Sequence, residues 1–96
     1  MLDRLKKEDL DPFVEKDFQL SSAEGHKFQV QLVEVTEMPG TPSNRKPFSV
    51  VFLGPGEPVL PQCIYTLEHE KIGPLDLFLV PLGPFRDGMK YEAVFT

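Results

Sequence analysis

Three side chains of this sequence have types that could together perform catalysis: the thiol of Cys63, the imidazole of His69 and the carboxylate of Asp76. A thiol nucleophile needs an imidazole base within hydrogen-bond reach and a third group that orients the base. Cys63 and His69 lie six residues apart in one segment of alternating apolar and polar residues, which predicts a single strand. At about 3.3 Å per residue, that strand would separate the two side chains by about 20 Å. We therefore expect Cys63 to be buried and inert and the protein not to be an enzyme; a thiol enzyme that uses Cys63 is the least favoured alternative.

The sequence offers few ligands to a metal ion or a cofactor. His26 and His69 are its two histidines and Cys63 is its one cysteine, and their spacing forms no metal-binding pair. The glycine-containing loops at residues 54–56 and 83–88 contain prolines, which remove backbone N–H donors that a phosphate cradle needs. We expect neither a metal nor a cofactor.

Charge and composition narrow the partners and the compartment. The net charge of −5 leaves no excess of cations to neutralise nucleic acid or anionic lipid. The first residues are rich in charges and lack the apolar stretch of a secretory signal. A single cysteine cannot form an internal disulfide. These features predict no nucleic-acid partner, no membrane partner and a cytoplasmic location.

The elements that position the residues follow from length and periodicity. Ninety-six residues suffice for one domain, which we divide into a helical lid over residues 1–16 and a β core over residues 17–96. Ten prolines argue against long helices. Within the lid, the Asp-Pro pair at residues 11–12 is typical of a helix start, so we predict short helical turns at residues 4–10 and 12–15.

The β core reads as about six strands, mostly antiparallel, which predicts a mainly β fold: a small antiparallel barrel or sandwich. The alternation changes phase at Leu32 and Val33, where a β-bulge would absorb the slip. Residues 48–53 are apolar in both phases, which predicts a central strand covered on its outer side by the lid. A turn at residues 87–88 precedes the last strand, at residues 91–95.

The register of one hairpin can also be predicted. Placing Leu67 opposite Leu75 aligns two alternating segments and leaves a short loop in which Gly73 can adopt a positive φ. The register shifted by two residues would oppose the like charges of Glu68 and Asp76. We therefore favour the first register.

Several motifs resemble a known family. The sequence runs PFSVVFLGP at residues 47–55, LPQ at 60–62, YTLEH at 65–69, LFLVP at 77–81 and MKYEAVF at 89–95. In these motifs the chain resembles a family of small bacterial proteins of about this length catalogued as a domain of unknown function. The resemblance implies no activity, but it implies an association with phage-tail-like and microcystin-dependent tail proteins. In that family a glycine usually precedes the first strand, where this chain has Glu15 or Lys16.

The leading functional hypothesis is a small non-enzymatic β-structured module that binds another protein, in a phage-tail-like or surface assembly. We expect the last strand to be an open edge that pairs with a partner or with a second copy, giving a homo-oligomer. The predicted contact residues are Tyr91, Ala93 and Phe95 on that strand, with Arg45 and Lys46 on the proline-rich loop before the central strand.

The alternative hypothesis is a small-ligand carrier. Its pocket would lie between the lid and the central strand at residues 48–53. It predicts a cavity of several hundred Å³ lined by Phe13, Phe52 and Leu77.

Overall fold

A computed structural model describes residues 6–38 and 47–95. These residues form a mainly β fold with six strands, as predicted. The elements are helix α1 (Lys7–Leu10), a 3-10 turn (Asp11–Phe13), and strands β1 (Asp17–Ser21), β2 (Lys27–Glu37), β3 (Phe48–Pro55), β4 (Cys63–His69), β5 (Gly73–Phe85) and β6 (Gly88–Phe95). No helix in the described ranges is long and apolar enough to cross a membrane.

The strands form a closed antiparallel barrel in the order β1-β2-β3-β6-β5-β4. The sequence left barrel and sandwich open, and the contact that decides between them is the pairing of β1 with β4. Leu20 lies opposite Leu67 in that pairing, and both side chains are fully buried. Closure of the barrel gives each strand two neighbours, which removes the exposed edges of an open sheet.

Two bulges bend the barrel strands. The predicted bulge in β2 is confirmed, because the register with β3 shifts between Leu32 and Glu34. A second bulge in β5, between Pro81 and Gly83, leaves Leu82 exposed. Each extra residue lets a strand turn while its apolar side chains stay on the inner face.

The predicted hairpin register is also confirmed. Leu67 lies opposite Leu75 and Thr66 lies opposite Asp76. The Thr66 hydroxyl donates a hydrogen bond of 2.7 Å to Asp76 Oδ1. Gly73 adopts a φ of 89°, a conformation that glycine reaches without steric cost.

The core lies inside the barrel and is built from the inward phase of every strand. Its largest fully buried side chains are Tyr91, Phe18, Leu20, Leu32, Leu67, Leu79, Val30 and Val50. Burying one such aliphatic or aromatic side chain contributes about 1.5–3 kcal/mol. Strand β3 is buried on both faces from Phe48 to Phe52, as expected of a central strand.

The N-terminal segment is tied to the bulge of β2. The Glu15 N–H donates to the Leu32 carbonyl at 2.6 Å, and the Leu32 N–H donates to the Lys16 carbonyl at 3.0 Å. The second helical turn was predicted to extend to residue 15, but it ends at Phe13 because Glu15 adopts a φ of 74° where the chain turns into β1. The first turn, predicted from residue 4, is observed as Lys7–Leu10; residues 1–5 lie outside the described ranges.

The turn before β6 lies one residue earlier than predicted. Phe85 pairs with Gly88, so Arg86 and Asp87 form the turn, and Arg86 has a φ of 56°. Gly88 already belongs to β6, where a Cβ would collide with the Gly54 carbonyl oxygen of β3. The glycine therefore serves close strand packing rather than the turn.

Candidate functional site

The predicted partner contacts on β6 have buried side chains. Tyr91, Ala93 and Phe95 all point into the core. Over Gly88–Glu92 the strand lies between β3 and β5, so the predicted open edge is closed there. The edge is closed because β6 pairs with the second half of β5. The alternation of residues in the sequence does not reveal this pairing. The two loop residues, Arg45 and Lys46, lie outside the described residues, and their partner contact stays a prediction.

A short part of β6 does have one free side within the described ranges. The ladder with β5 ends at the pair Val80–Glu92, whereas the ladder with β3 continues to the pair Phe48–Phe95. Ala93–Phe95 is therefore paired with β3 alone. The Phe95 ring stacks on the Phe48 ring with centroids 4.6 Å apart, which holds this end of β6 against β3.

Beside that free side lies an apolar area, here called the outer patch, formed by Ile64, Phe78 and Val94. Their side chains are 59%, 51% and 50% exposed. Ile64 and Phe78 are direct cross-strand partners. Phe78 and Val94 each lie two residues beyond Val80–Glu92, the last pair of the β5–β6 ladder. Ile64 and Phe78 thus adjoin each other, and Val94 is a third large apolar residue in an outward position at the neighbouring end of β6.

The outer patch is bordered by carboxylates. The outward positions two residues away along the same strands are Thr66, Asp76, Val80 and Glu92, with no lysine or arginine among them. Asp76 is exposed and Glu92 is half-buried. The ion pair seen in the described ranges joins Lys7 to Asp11 at 3.0 Å and involves neither carboxylate. The patch is therefore apolar at its centre and negatively charged at its margin.

A separate open groove of about 730 Å³ crosses the outer face of β1. Its polar lining comes from Asp17, Gln19, Lys27, Gln29, Glu68 and Glu70, and it is completed by Phe18, Phe28 and His69. Gln29 Nε2 donates to Asp17 Oδ2 at 2.8 Å, which orients that carboxylate. Within residues 6–38 and 47–95, no three acidic, histidine or cysteine side chains are grouped as metal ligands.

His69 has a structural environment at the margin of this groove. Its ring lies 4.8 Å from the Phe13 ring and 5.2 Å from the Phe18 ring, measured between centroids. The Lys71 N–H donates to His69 Nδ1 at 3.0 Å. The imidazole thus contacts both the N-terminal segment and the β4–β5 turn. Its Nδ1 lone pair already accepts the hydrogen bond from Lys71.

Cys63 is exposed, so the prediction of a buried thiol was wrong. Its phase is inward, like that of Tyr65 and Leu67, but it is the first residue of β4. The pairing with β1 that covers this strand reaches only from Thr66 to Glu68 and leaves the Cys63 end uncovered. Cys63 and His69 occupy opposite ends of β4, opposite Leu79 and Gly73 respectively.

At the place predicted for a ligand carrier's pocket, aromatic rings of the lid, β1 and β3 lie close together. The Phe18 ring centroid lies 6.5 Å from that of Phe13 and 5.4 Å from that of Phe52. Phe52 and Leu77 are both buried in the core. A groove among the described residues lies on the outer face of β1, and ligand binding stays a prediction.

Fold and surface together define a small closed antiparallel barrel with a helical N-terminal segment and an apolar outer patch. The model of a family described as a domain of unknown function, DUF6916, matches residues 5–95. The chain belongs to this family, and the resemblance seen in its sequence motifs is confirmed. Neither the curated proteins nor the solved structures contain a match to it.

Proposed function

We propose that this protein is a non-enzymatic binding module that docks another protein on the outer patch of Ile64, Phe78 and Val94. The observation that supports the proposal is the half-exposure of three large apolar side chains at positions where an outward strand phase usually carries polar residues. These three residues were not among the predicted contact residues. The sequence does indicate them, because each is an apolar residue in the otherwise polar, outward phase of β4, β5 or β6.

The energetics of the patch suit a docking surface. Complete burial of a large apolar side chain contributes about 1.5–3 kcal/mol, so covering three half-exposed ones supplies about 2–4 kcal/mol. The adjacent backbone of Ala93–Phe95 offers a partner strand hydrogen bonds on the side that β5 does not pair. Partner binding through β6 then uses its backbone and Val94, while the side chains of Ala93 and Phe95 stay in the core.

Affinity capture from the native host tests the proposal, with the intact chain as bait. Phe78→Ser should lose the captured partner, whereas Leu82→Ser should retain it, because Leu82 is equally exposed at 52% but lies on the β5 bulge outside the patch. Surface substitutions usually change stability by at most about 0.5 kcal/mol, so circular dichroism should show both variants folded. Capture that survives both Phe78→Ser and Ile64→Ser would refute the docking surface.

The setting of the interaction is part of the same proposal. The family resemblance motivates a phage-tail-like or surface assembly, and the cytoplasm is the proposed compartment. Cofractionation of the protein with tail-like particles from its host, in the same fractions as the captured partner, tests this setting. Recovery of the protein only in fractions free of such particles would contradict it.

Small-ligand binding is a second candidate function, supported by the groove on the outer face of β1. The groove volume of about 730 Å³ is of the size that accommodates a small molecule. A thermal-shift screen of diverse small molecules, repeated with Gln19→Trp to fill the groove, tests it. Hits that stabilise both forms equally would exclude the groove as their site.

A further inference from the structure

We infer that the segment that docks on the outer patch is an extended, basic strand whose patch-facing side carries apolar side chains and lysine or arginine at positions two residues apart. This inference rests on the proposed function and names the chemistry of the partner. It follows from the charges that border the patch and from the spacing of side chains on neighbouring strands.

The two borders of the patch each carry a carboxylate. Asp76 lies two residues from Phe78 on β5, and Glu92 lies two residues from Val94 on β6. Thr66 donates to one Asp76 oxygen, Oδ1, and so orients the carboxylate without neutralising it. No described ion pair includes either carboxylate. Both carboxylates are therefore without a cationic partner among the described residues.

The spacing of these groups fits an extended strand. Residues two apart on a strand face the same side, about 7 Å apart, which is also the separation of a patch residue from its bordering carboxylate. A partner strand that places an apolar side chain over Phe78 can place a long cationic side chain over Asp76. Its apolar stem would cover patch surface while its charged head reaches the carboxylate.

The same charges disfavour other occupants of the patch. Two copies of this chain, each with a net charge of −5, would bring carboxylate-bordered patches together. An anionic lipid surface would meet the same repulsion. Like charges brought face to face oppose association, and opposite charges favour both its rate and its selectivity.

Peptide titration tests the inference on the full chain. The probes are three labelled heptapeptides with valine at positions 1 and 5 and serine at positions 2, 4 and 6; they carry lysine, serine or glutamate at positions 3 and 7, on the same face as the valines. Binding is followed by fluorescence anisotropy and by amide chemical shifts of the patch residues. The lysine peptide should bind most tightly. Asp76→Asn and Glu92→Gln should each weaken it by about 1.5- to 5-fold, the range expected of an exposed ion pair, without changing binding of the serine peptide.

Two controls make the result specific. Glu70→Gln removes an exposed carboxylate in the β1 groove and should leave the lysine peptide's affinity unchanged. Raising the salt to 1 M, where screening acts over about 3 Å, should remove most of the difference between the lysine and serine peptides.

The opposite results separate the partner chemistry from the proposed function. Equal binding of all three peptides at the patch would overturn the basic-strand inference and leave the docking surface standing. Equal weakening by Glu70→Gln and Asp76→Asn, or no peptide binding, would also overturn it. A dimer in analytical ultracentrifugation that Phe78→Ser dissociates would assign the patch to a second copy and overturn the inference.

Discussion

Two buried tyrosines hold the segment between β3 and β4, and removing their hydroxyls should have unequal effects on stability. The Tyr91 hydroxyl accepts a hydrogen bond from the buried Leu60 N–H at 2.8 Å. The Tyr65 hydroxyl donates one of 2.6 Å to the carbonyl of Pro61, an exposed residue. Phenylalanine keeps both rings, so Tyr91→Phe and Tyr65→Phe change only these bonds.

The two variants differ in what they leave behind. Tyr91→Phe strands a buried N–H without an acceptor, which costs about 1–3 kcal/mol. In Tyr65→Phe, water can reach the Pro61 carbonyl, so the loss should be closer to that of an ordinary hydrogen bond, about 0.5–1.5 kcal/mol. For a domain of this size, each kcal/mol lowers the melting temperature by about 4–8 °C.

Urea unfolding followed by circular dichroism measures the difference. The transition midpoint should fall further for Tyr91→Phe than for Tyr65→Phe, with the same dependence on urea concentration in both, because the surface exposed on unfolding is unchanged. An equal or larger loss in Tyr65→Phe would refute the reasoning that the buried Leu60 N–H makes the Tyr91 bond the more important one.

Two further predictions concern backbone strain and pH. Glu15→Gly should stabilise the fold by about 0.5–1 kcal/mol, because a positive φ costs a non-glycine residue about 1–2 kcal/mol and glycine's extra freedom in the unfolded chain offsets part of that gain. Lys16→Gly is the control and should destabilise the fold, because Lys16 has no positive φ to relieve. The opposite order of stability in urea unfolding would contradict this prediction. Burial raises the pKa of the Tyr65 hydroxyl above its usual value of 10.0, so the unfolded chain loses this proton at a lower pH than the folded chain does. The contribution of the protonated hydroxyl to stability is therefore complete below pH 10 and is lost as the pH rises through the pKa of the folded state. Stability measured from pH 9 to 12 should fall less steeply in Tyr65→Phe than in the unmodified chain, and identical slopes would contradict this.

Local patterns in the sequence were enough to predict several features of the barrel. The alternation of the β4 and β5 segments, with the repulsion between Glu68 and Asp76 in the other register, specified the pairing that the structure confirms. The phase change at Leu32 and Val33 revealed the β2 bulge. These features depend on residues close in sequence, whose side-chain phase is visible directly.

Features set by distant strands could not be predicted in the same way. Alternation shows that Tyr91 and Phe95 face inward, but it does not show which strands flank β6. Barrel closure through β1 and β4 is such a non-local pairing. Cys63 was misassigned for the same reason, because its exposure depends on where the neighbouring β1 ladder ends.

The outer patch was only partly accessible from the sequence. Ile64 and Phe78 could be recognised as apolar residues in an outward phase. Their proximity to the unpaired end of β6 required the observation that β5 pairs with β4 along its first half and with β6 along its second half.

The change of partner along β5 also bears on aggregation. Within the described ranges it leaves Ala93–Phe95 as a run of three residues with one unpaired side. Segments that stack into amyloid are typically about six residues long. On β5 the same change of partner leaves the seven residues Gly73–Leu79 paired with β4 alone, and Pro74 and the charged Asp76 within that run oppose such stacking.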